Sequence, residues 1–518
     1  MAIKIILIAL FFAVMIGIGI YCRRTAADVS GFVLGGRKVG PWLTAFAYGT
    51  SYFSAVIFVG YAGQFGWRFG IASTWIGLGN AFIGSLLAWV FLGRRTRIMT
   101  QHLNSATMPQ FFESRFDSKG LKLVASAIIF VFLIPYTASL YNGLSRLFNM
   151  AFNVDYTICI AVMAVLTAVY VIAGGYMATA INDFIQGMFM LIGIVVIIAA
   201  VLKTNGGFIG SLNALSQVSD ASVSEAPGIF NSFFGPDPLG LLGVVILTSL
   251  GTWGLPQMVQ KFYAIKSEKD INKGTVISTV FAVVVAGGCY FLGGFGRLFN
   301  IDVLKEGYDA VIPAMLSTLS PIVVGIALIL VLSASMSTLS SLVLASSSTL
   351  TLDFIAPMMK KKNGTAKKDS AGQHLLTIRI FVAVFILISA VIAVIQYKRN
   401  ITFIAQLMGL SWGALAGSFL APFLYSLYWR RTTKASCIAS FVWGTGLMLG
   451  NMFFKSAFPA ILQSPINCGA FAMLSGMVLV PVVSLLSKAP EKAFTDRVFS
   501  CYEQKILVPI TEALSDEE

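Results

Sequence analysis

Between Val331 and Asp353 the chain reads VLSASMSTLSSLVLASSSTLTLD, an apolar run loaded with hydroxyls. Successive helical residues are about 100° apart, which puts Ser337, Ser340 and Ser341 on one face and Ala334, Ser337 and Thr338 on an overlapping wedge. Two groups of neutral oxygens therefore share Ser337. Hydroxyls at that spacing, joined by spare backbone carbonyls from another segment, can replace the water shell of a small hard cation. The competing use is common in membrane bundles: the hydroxyls bond back to their own helix or across to a neighbour.

The chain carrying this stretch has 518 residues, 57% of them hydrophobic and 11% charged, with 41 phenylalanines. No soluble core could hide so much apolar surface, so the composition points to an all-α polytopic protein in a lipid bilayer. A net charge of +14 at pH 7 invites a nucleic-acid reading, but the basic residues sit in short clusters between apolar runs, as membrane topology requires. Nucleic acid is therefore not an expected partner, and no obligate protein partner is evident. Cys22, Cys159, Cys289, Cys437, Cys468 and Cys501 lie mostly in or beside hydrophobic segments, without paired spacing. They suggest neither a disulfide framework nor a metal site. His102 and His374 fall outside the predicted helices. With no paired carboxylates in the membrane either, no catalytic group is expected and the chain does not read as an enzyme.

Taking about 20 apolar residues as one crossing, the sequence predicts 13 transmembrane helices, beginning near 2, 41, 71, 123, 156, 180, 238, 275, 313, 376, 401, 435 and 467. Little positive charge precedes the first run, Arg23 and Arg24 follow it, and no small-residue cleavage site stands out, so it reads as a retained helix. An odd count places the two ends of the chain on opposite sides. Assigning alternate loops to the cytoplasm puts 27 of the 36 basic residues inside, Lys261 among them, and 9 outside. That asymmetry orients the N-terminus outside and the C-terminus inside. The external connection over 203–236 is rich in Gly, Ser and Asn and is expected to carry a short helix or a gate. The internal 357–374 segment, PMMKKKNGTAKKDSAGQH, reads as a charged solvated linker.

Two other predicted helices are interrupted. The second carries Gly49, Gly60 and Gly63 with polar Thr50, Ser51 and Ser54 at membrane depth; the seventh carries Gly251, Gly254 and Pro256. Proline cannot donate to the helix ladder, and loosened backbone inside a bilayer is tolerated only where protein or a cavity covers it. Such breaks at corresponding places in two halves point to the binding site of an inverted-repeat transporter. They divide the chain into an extra helix and loop over 1–40, a five-helix repeat over 41–202 and an external loop over 203–237. A second five-helix repeat over 238–427, two extra helices over 428–490 and a cytoplasmic tail over 491–518 follow. Asp183, at the start of the sixth helix, is costly at that depth and marks a functional candidate, though a helix-start acid favoured by the dipole competes.

The runs GFVLGGRKVGPWLTAFAYGTSYFSA, AGGYMATAINDFIQG, GTWGLPQMVQKFYA and SASMSTLSSLVLASSSTLTLD resemble, in order and spacing, the sodium/solute symporter family, with its bacterial sodium/proline branch nearest. The resemblance covers about 1–500. It implies the leucine-transporter fold, alternating access, and uptake of a small organic solute across the plasma membrane driven by the inward sodium gradient. By match, the main sodium site takes carbonyls of Thr50 and Phe53 and, from the eighth core helix, Ala334, Ser337 and Thr338. Some members add a second sodium, whose matching positions are Asp183, Ser337, Ser340 and Ser341, so one or two ions are expected.

The resemblance places the solute near Ser51, Ser54, Trp75, Tyr136, Thr252, Trp253 and Pro256. Here the chain departs from its relatives: the sodium/proline branch has an aspartate in place of Tyr52 and aromatics in place of Thr248 and Thr252. Tyr136 replaces the arginine that sialic acid transporters use. A pocket without side-chain charge suits a small amino acid or carboxylate. The alternatives are proton coupling through Asp183, and a channel or sensor that binds solute without coupled transport.

Overall fold

The apolar runs fold as helices, and a computed structural model describes residues 2–152, 154–224, 226–356, 370–399 and 404–503. The helices that frame the site begin, in chain order, with α1 (Ala2–Tyr21), α2 (Pro41–Tyr52), α3 (Ala62–Phe69), α4 (Lys119–Phe152), α5 (Tyr156–Thr204), α6 (Gly207–Ser216) and α7 (Pro238–Gly254). They are followed by α8 (Pro256–Ala264), α9 (Glu268–Ala282), α10 (Pro321–Thr349), α11 (Ser370–Arg399), α12 (Ile404–Tyr428), α13 (Lys434–Phe453) and α14 (Pro465–Leu486). A further rod over 74–102, with two π-helical stretches, lies between α3 and α4. Among the described residues no β-strand forms. Among them, 9 helices are long and apolar enough to cross a membrane, or up to 10 if the bent pair α7 and α8 is one span.

Local chemistry sets several helix ends. Asp155 caps α5 by accepting from the Thr157 amide at 2.8 Å, and Asp237 caps α7 through the Gly240 amide at 2.8 Å. Prolines open α2, α7, α8, α10 and α14, where the missing amide hydrogen has no helical partner to lose.

An extended residue opens the break in both interrupted helices. α2 stops at Tyr52, Phe53 is extended (φ −85°, ψ 120°), and the Ser54 hydroxyl accepts from the Val56 amide at 3.2 Å as the helix resumes. α7 stops at Gly254, Leu255 takes nearly the same angles (φ −81°, ψ 123°), and α8 leaves at 46°. Pro256 explains the second stop, since its ring obstructs the turn before it.

Elsewhere the boundaries shift. The expected fifth and sixth helices run together as α5, 49 residues long, divided at Gly175 (φ 56°, ψ −149°). Glycine alone adopts that region without strain, and an added Cβ would meet Phe32 at 2.9 Å. The ninth helix starts at Pro321 rather than near 313, because Pro313 belongs to a separate short helix, Val311–Ser317. The connection over 203–236 carries a short helix, α6. Of the expected linker, 357–369 lies outside the described residues, as does the tail from 504.

The centre of the bundle is α10 and α12. In their most apolar windows 78% and 89% of residues are buried, against 39% for α13 and α14. α10 packs along α5, α4, α11 and α2. Its hydroxyls are thereby carried up to the break that ends α2.

Candidate functional site

The carbonyls of Thr50 and Phe53 stand where the ladder of α2 ends and lose their regular donors. Thr338 Oγ1 donates towards them at 3.1 and 3.3 Å, and Ser337 Oγ lies 3.1 Å from the Thr50 oxygen. Both hydroxyls are also 3.0 Å from the Ala334 carbonyl. Five neutral oxygens therefore converge between α2 and α10, all from residues no more than 1% exposed. Oxygens that bind a hard cation at about 2.3–2.6 Å stand roughly 3–4 Å from one another, so this spacing fits an ion with little movement. Three other hydroxyls of α10 bond back to their own helix: Ser347 and Ser348 donate to Val343 and Leu344 at 2.6 Å, and Ser340 to Ser337 at 2.9 Å. Back-bonding to the helix, one of the two uses foreseen for the stretch, is thus present, and Ser337 and Thr338 combine it with contacts to α2.

The second group is built around a residue that the sequence reading set aside. Asp183 is fully buried in α5, and Lys261 of α8 stands against it with Nζ 3.8 Å from Oδ2. The same ammonium donates to Ser341 Oγ at 3.0 Å and lies 5.2 Å from the centre of the Tyr176 ring. Ser341 in turn shares a 2.7 Å hydrogen bond with Ser51. Lys261 is 2% exposed, which corrects the topology count that put it in a cytoplasmic loop. A signal was available: a lone cation within an apolar span needs a partner, and Asp183 was the lone acid at similar depth.

Of the residues expected around the solute, Ser54 and Tyr136 come together. Tyr136 faces Ser54 and Trp412, its ring edge-on to the indole with centroids 5.9 Å apart, and Tyr52 lies 5.8 Å from the same indole. Tyr52 also faces Tyr290, which faces Asn80. The Tyr52, Tyr136 and Tyr290 hydroxyls and the Trp412 indole nitrogen of this group are buried without a completed hydrogen bond, and so is the Gln257 amide in the first turn after the second break. Polar atoms in that state favour a polar ligand that completes them. Trp412, Gln257, Tyr290 and Asn80 were not expected; Pro256 opens α8 one residue before Gln257.

Four expected residues are set apart from this group. Ser51 is bound to Ser341. Thr252 donates to the Gly84 carbonyl at 2.9 Å and the Trp253 indole to Ile83 at 3.0 Å, so both face the 74–102 rod. Trp75 is exposed, and its indole donates to the Phe233 carbonyl in the connection between α5 and α7 at 3.0 Å.

That connection is clasped to the bundle. Arg297 Nη1 lies 3.0 Å from Asp220 Oδ2, its Nε donates to the Trp67 carbonyl at 2.6 Å, and its guanidinium covers the Phe230 ring at 3.7 Å. The Ser222 hydroxyl and Arg297 hold the Asp220 carboxyl below the usual carboxylate range.

A solved structure of a Na+-coupled sialic acid symporter has the same fold, with a TM-score of 0.69 over 95% of this chain and 99% of that one, at 16% identity. Two broken helices meeting a hydroxyl-rich helix are the arrangement of an inverted-repeat membrane transporter. The model of the sodium:solute symporter family matches residues 32–444. Sodium/proline symporters of Staphylococcus aureus, strains JH9 and N315 among them, are 31% identical over 450 residues, spanning 85% of this chain and 84% of theirs. The chain belongs to the sodium:solute symporter family. It is a multi-pass protein of the plasma membrane, and sodium is the coupled ion.

Proposed function

We propose that the protein brings a small organic solute, an amino acid or small carboxylate, into the cell together with sodium by alternating access. The observation that carries this reading is the convergence of Thr50, Phe53, Ala334, Ser337 and Thr338 on one buried point. Sodium held there ties the break of α2 to α10 and steadies the neighbouring aromatic group. Ion and solute then each bind better when the other is present. The repeats rock around the fixed site, and the ion escapes into a cytoplasm low in sodium. A tenfold sodium gradient is worth about 1.4 kcal/mol and 100 mV about 2.3 kcal/mol per charge, so one ion can drive a neutral solute several hundredfold uphill.

Tyr52, Ser54, Tyr136, Trp412 and Gln257 offer hydroxyls, an indole and an amide but no side-chain charge. A zwitterion or monocarboxylate suits them, its anionic end held by the start of α8 and the nearby ion. The relatives named sodium/proline symporter favour an amino acid over a sugar.

The same reading takes 13 crossings in two five-helix repeats over 41–202 and 238–427, with the N-terminus outside and the C-terminus inside. The matching backbone at Phe53 and Leu255 supports the repeat. The length of α5 supports the count: at about 1.5 Å per residue it is roughly 73 Å, more than two apolar thicknesses of about 30 Å, so Gly175 separates two spans.

Purified protein is screened by thermal shift against amino acids, short carboxylates, vitamins and sugars, and the solute found is then followed into proteoliposomes. Accumulation that requires an inward sodium gradient supports symport. Accumulation that persists with choline at constant pH assigns proton coupling, and binding without accumulation assigns a sensor.

A further inference from the structure

Lys261 stands where the family resemblance would put a second sodium ion. That position is defined by Asp183 on α5 and by Ser337, Ser340 and Ser341 on α10. The ammonium already takes two of these groups, with Nζ 3.0 Å from Ser341 Oγ and 3.8 Å from Asp183 Oδ2, and a third, Ser340, donates to the Ser337 carbonyl. An ion bound directly to Asp183 and Ser341 would collide with Nζ or face it at contact distance. The charges agree with the geometry. Asp183 and Lys261 cancel, so an added sodium would leave a net positive charge among residues no more than 3% exposed, with no further carboxylate to balance it in this group. The residues present do not fit a second ion.

We propose that the Lys261 ammonium is a tethered replacement for the second sodium, so that one sodium ion loads each chain. The inference rests on the sodium reading of the Thr50 and Thr338 cradle given above. Lys261 lies on α8, just beyond the break at Leu255; Asp183 lies on α5, Ser341 on α10, and Ser341 leads on to Ser51 of α2. The tethered charge therefore links both broken helices to the two helices behind them, as an ion would. It cannot leave on the cytoplasmic side. It preserves the architecture of a two-ion transporter while contributing no second ion to the driving force, and Lys261 is the residue that sets the stoichiometry.

The test counts bound 22Na+ per chain at saturation, using the purified full-length protein with sodium as the only ligand. Wild type should bind one ion. Lys261→Met removes the charge at nearly constant volume and leaves Asp183 bare beside Ser341, so it should bind two. Lys261→Met with Asp183→Asn, which restores neutrality, should return to one, and Lys261→Arg should stay at one. Two ions on the wild type would overturn the proposal and leave the cradle reading intact. Equal counts for Lys261→Met and the double variant would also overturn it. No bound sodium on the wild type, or affinity unmoved by Thr338→Ala, would instead remove the cradle reading on which the proposal rests. Should Lys261→Met fail to fold, the wild-type count decides.

Discussion

Thr338 Oγ1 stands 3.1 Å from the Thr50 carbonyl oxygen across 288 residues of sequence, and the same hydroxyl reaches the carbonyls of Phe53 and Ala334. Ser337 reaches two of those three carbonyls. Removing the better-placed hydroxyl should therefore cost more. Thr338→Ala is expected to raise the sodium concentration for half-maximal stabilisation about tenfold or more, as loss of one buried polar ligand worth about 1–3 kcal/mol implies. Ser337→Ala should shift it less, and Thr338→Ser should stay near wild type. Sodium titrations followed by thermal stability measure this directly. If both alanine variants keep the wild-type midpoint, the cradle is not the ion site.

Tyr136 offers a separate handle, because its hydroxyl belongs to the aromatic group and not to the cradle. Tyr136→Phe keeps the edge-on packing against Trp412 and deletes one polar atom. Solute affinity should fall by roughly tenfold, again on the scale of one buried hydrogen bond. The sodium midpoint measured without solute should not move. A parallel shift in both would mean that the ring supports the cradle and does not face the solute.

Much of this was legible because backbone chemistry is local. Gly254 and Pro256 announce a broken helix wherever they sit, and the hydroxyl wedge of Ser337 and Thr338 follows from helical spacing alone. Lys261 was hidden for the opposite reason. Positive-inside counting treats a lysine near a span end as a loop residue, and only the packing of α8 against α5 and α10 reveals it as the partner of Asp183. Trp412 left no sequence signal either. α12 is buried on nearly all sides, so no polar face marks which residue turns inward. Trp75 and Trp253 were expected near the solute, and each indole N–H is taken up by a backbone carbonyl apart from the Tyr136 and Trp412 group, of Phe233 and Ile83 respectively. Hydropathy cannot distinguish those outcomes.

The clasp between Asp220 and Arg297 should respond to acid with a defined sign. The Asp220 carboxyl is held below its ordinary value, near 3.9 in an unfolded chain, by Ser222 and Arg297. Its contribution is therefore complete above that value and is lost as pH falls through the lower folded one. All six cysteines are buried, so a spin label on Ala221→Cys reports this segment cleanly. Its spectrum should be unchanged from about pH 5 to 9 and should mobilise only below about pH 4. With Arg297→Gln the label should be mobile throughout. A transition near neutral pH would place control of the segment in some other group.

Close packing at the second break yields the last expectation. A Cβ on Gly254 would stand 2.8 Å from Ala416 Cα and from the Leu420 nitrogen, both backbone atoms of α12 that cannot rotate away. Gly254→Ala should therefore push α7 off α12, at an overpacking cost of about 1–3 kcal/mol. Because Leu255 and Pro256 follow directly, the displacement should also reach Gln257 and weaken solute binding more than sodium binding. Gly446, inside α13, has open space around its Cβ position and no positive φ. Gly446→Ala should leave stability unchanged or raise it by up to about 1 kcal/mol, as helix propensity dictates. Thermal unfolding of the two variants side by side separates the effect of the contact from that of adding a methyl group to a helix. Equal midpoints would mean that α12 yields at the break, and that α7 and α12 are not the rigid pair their backbone contact implies.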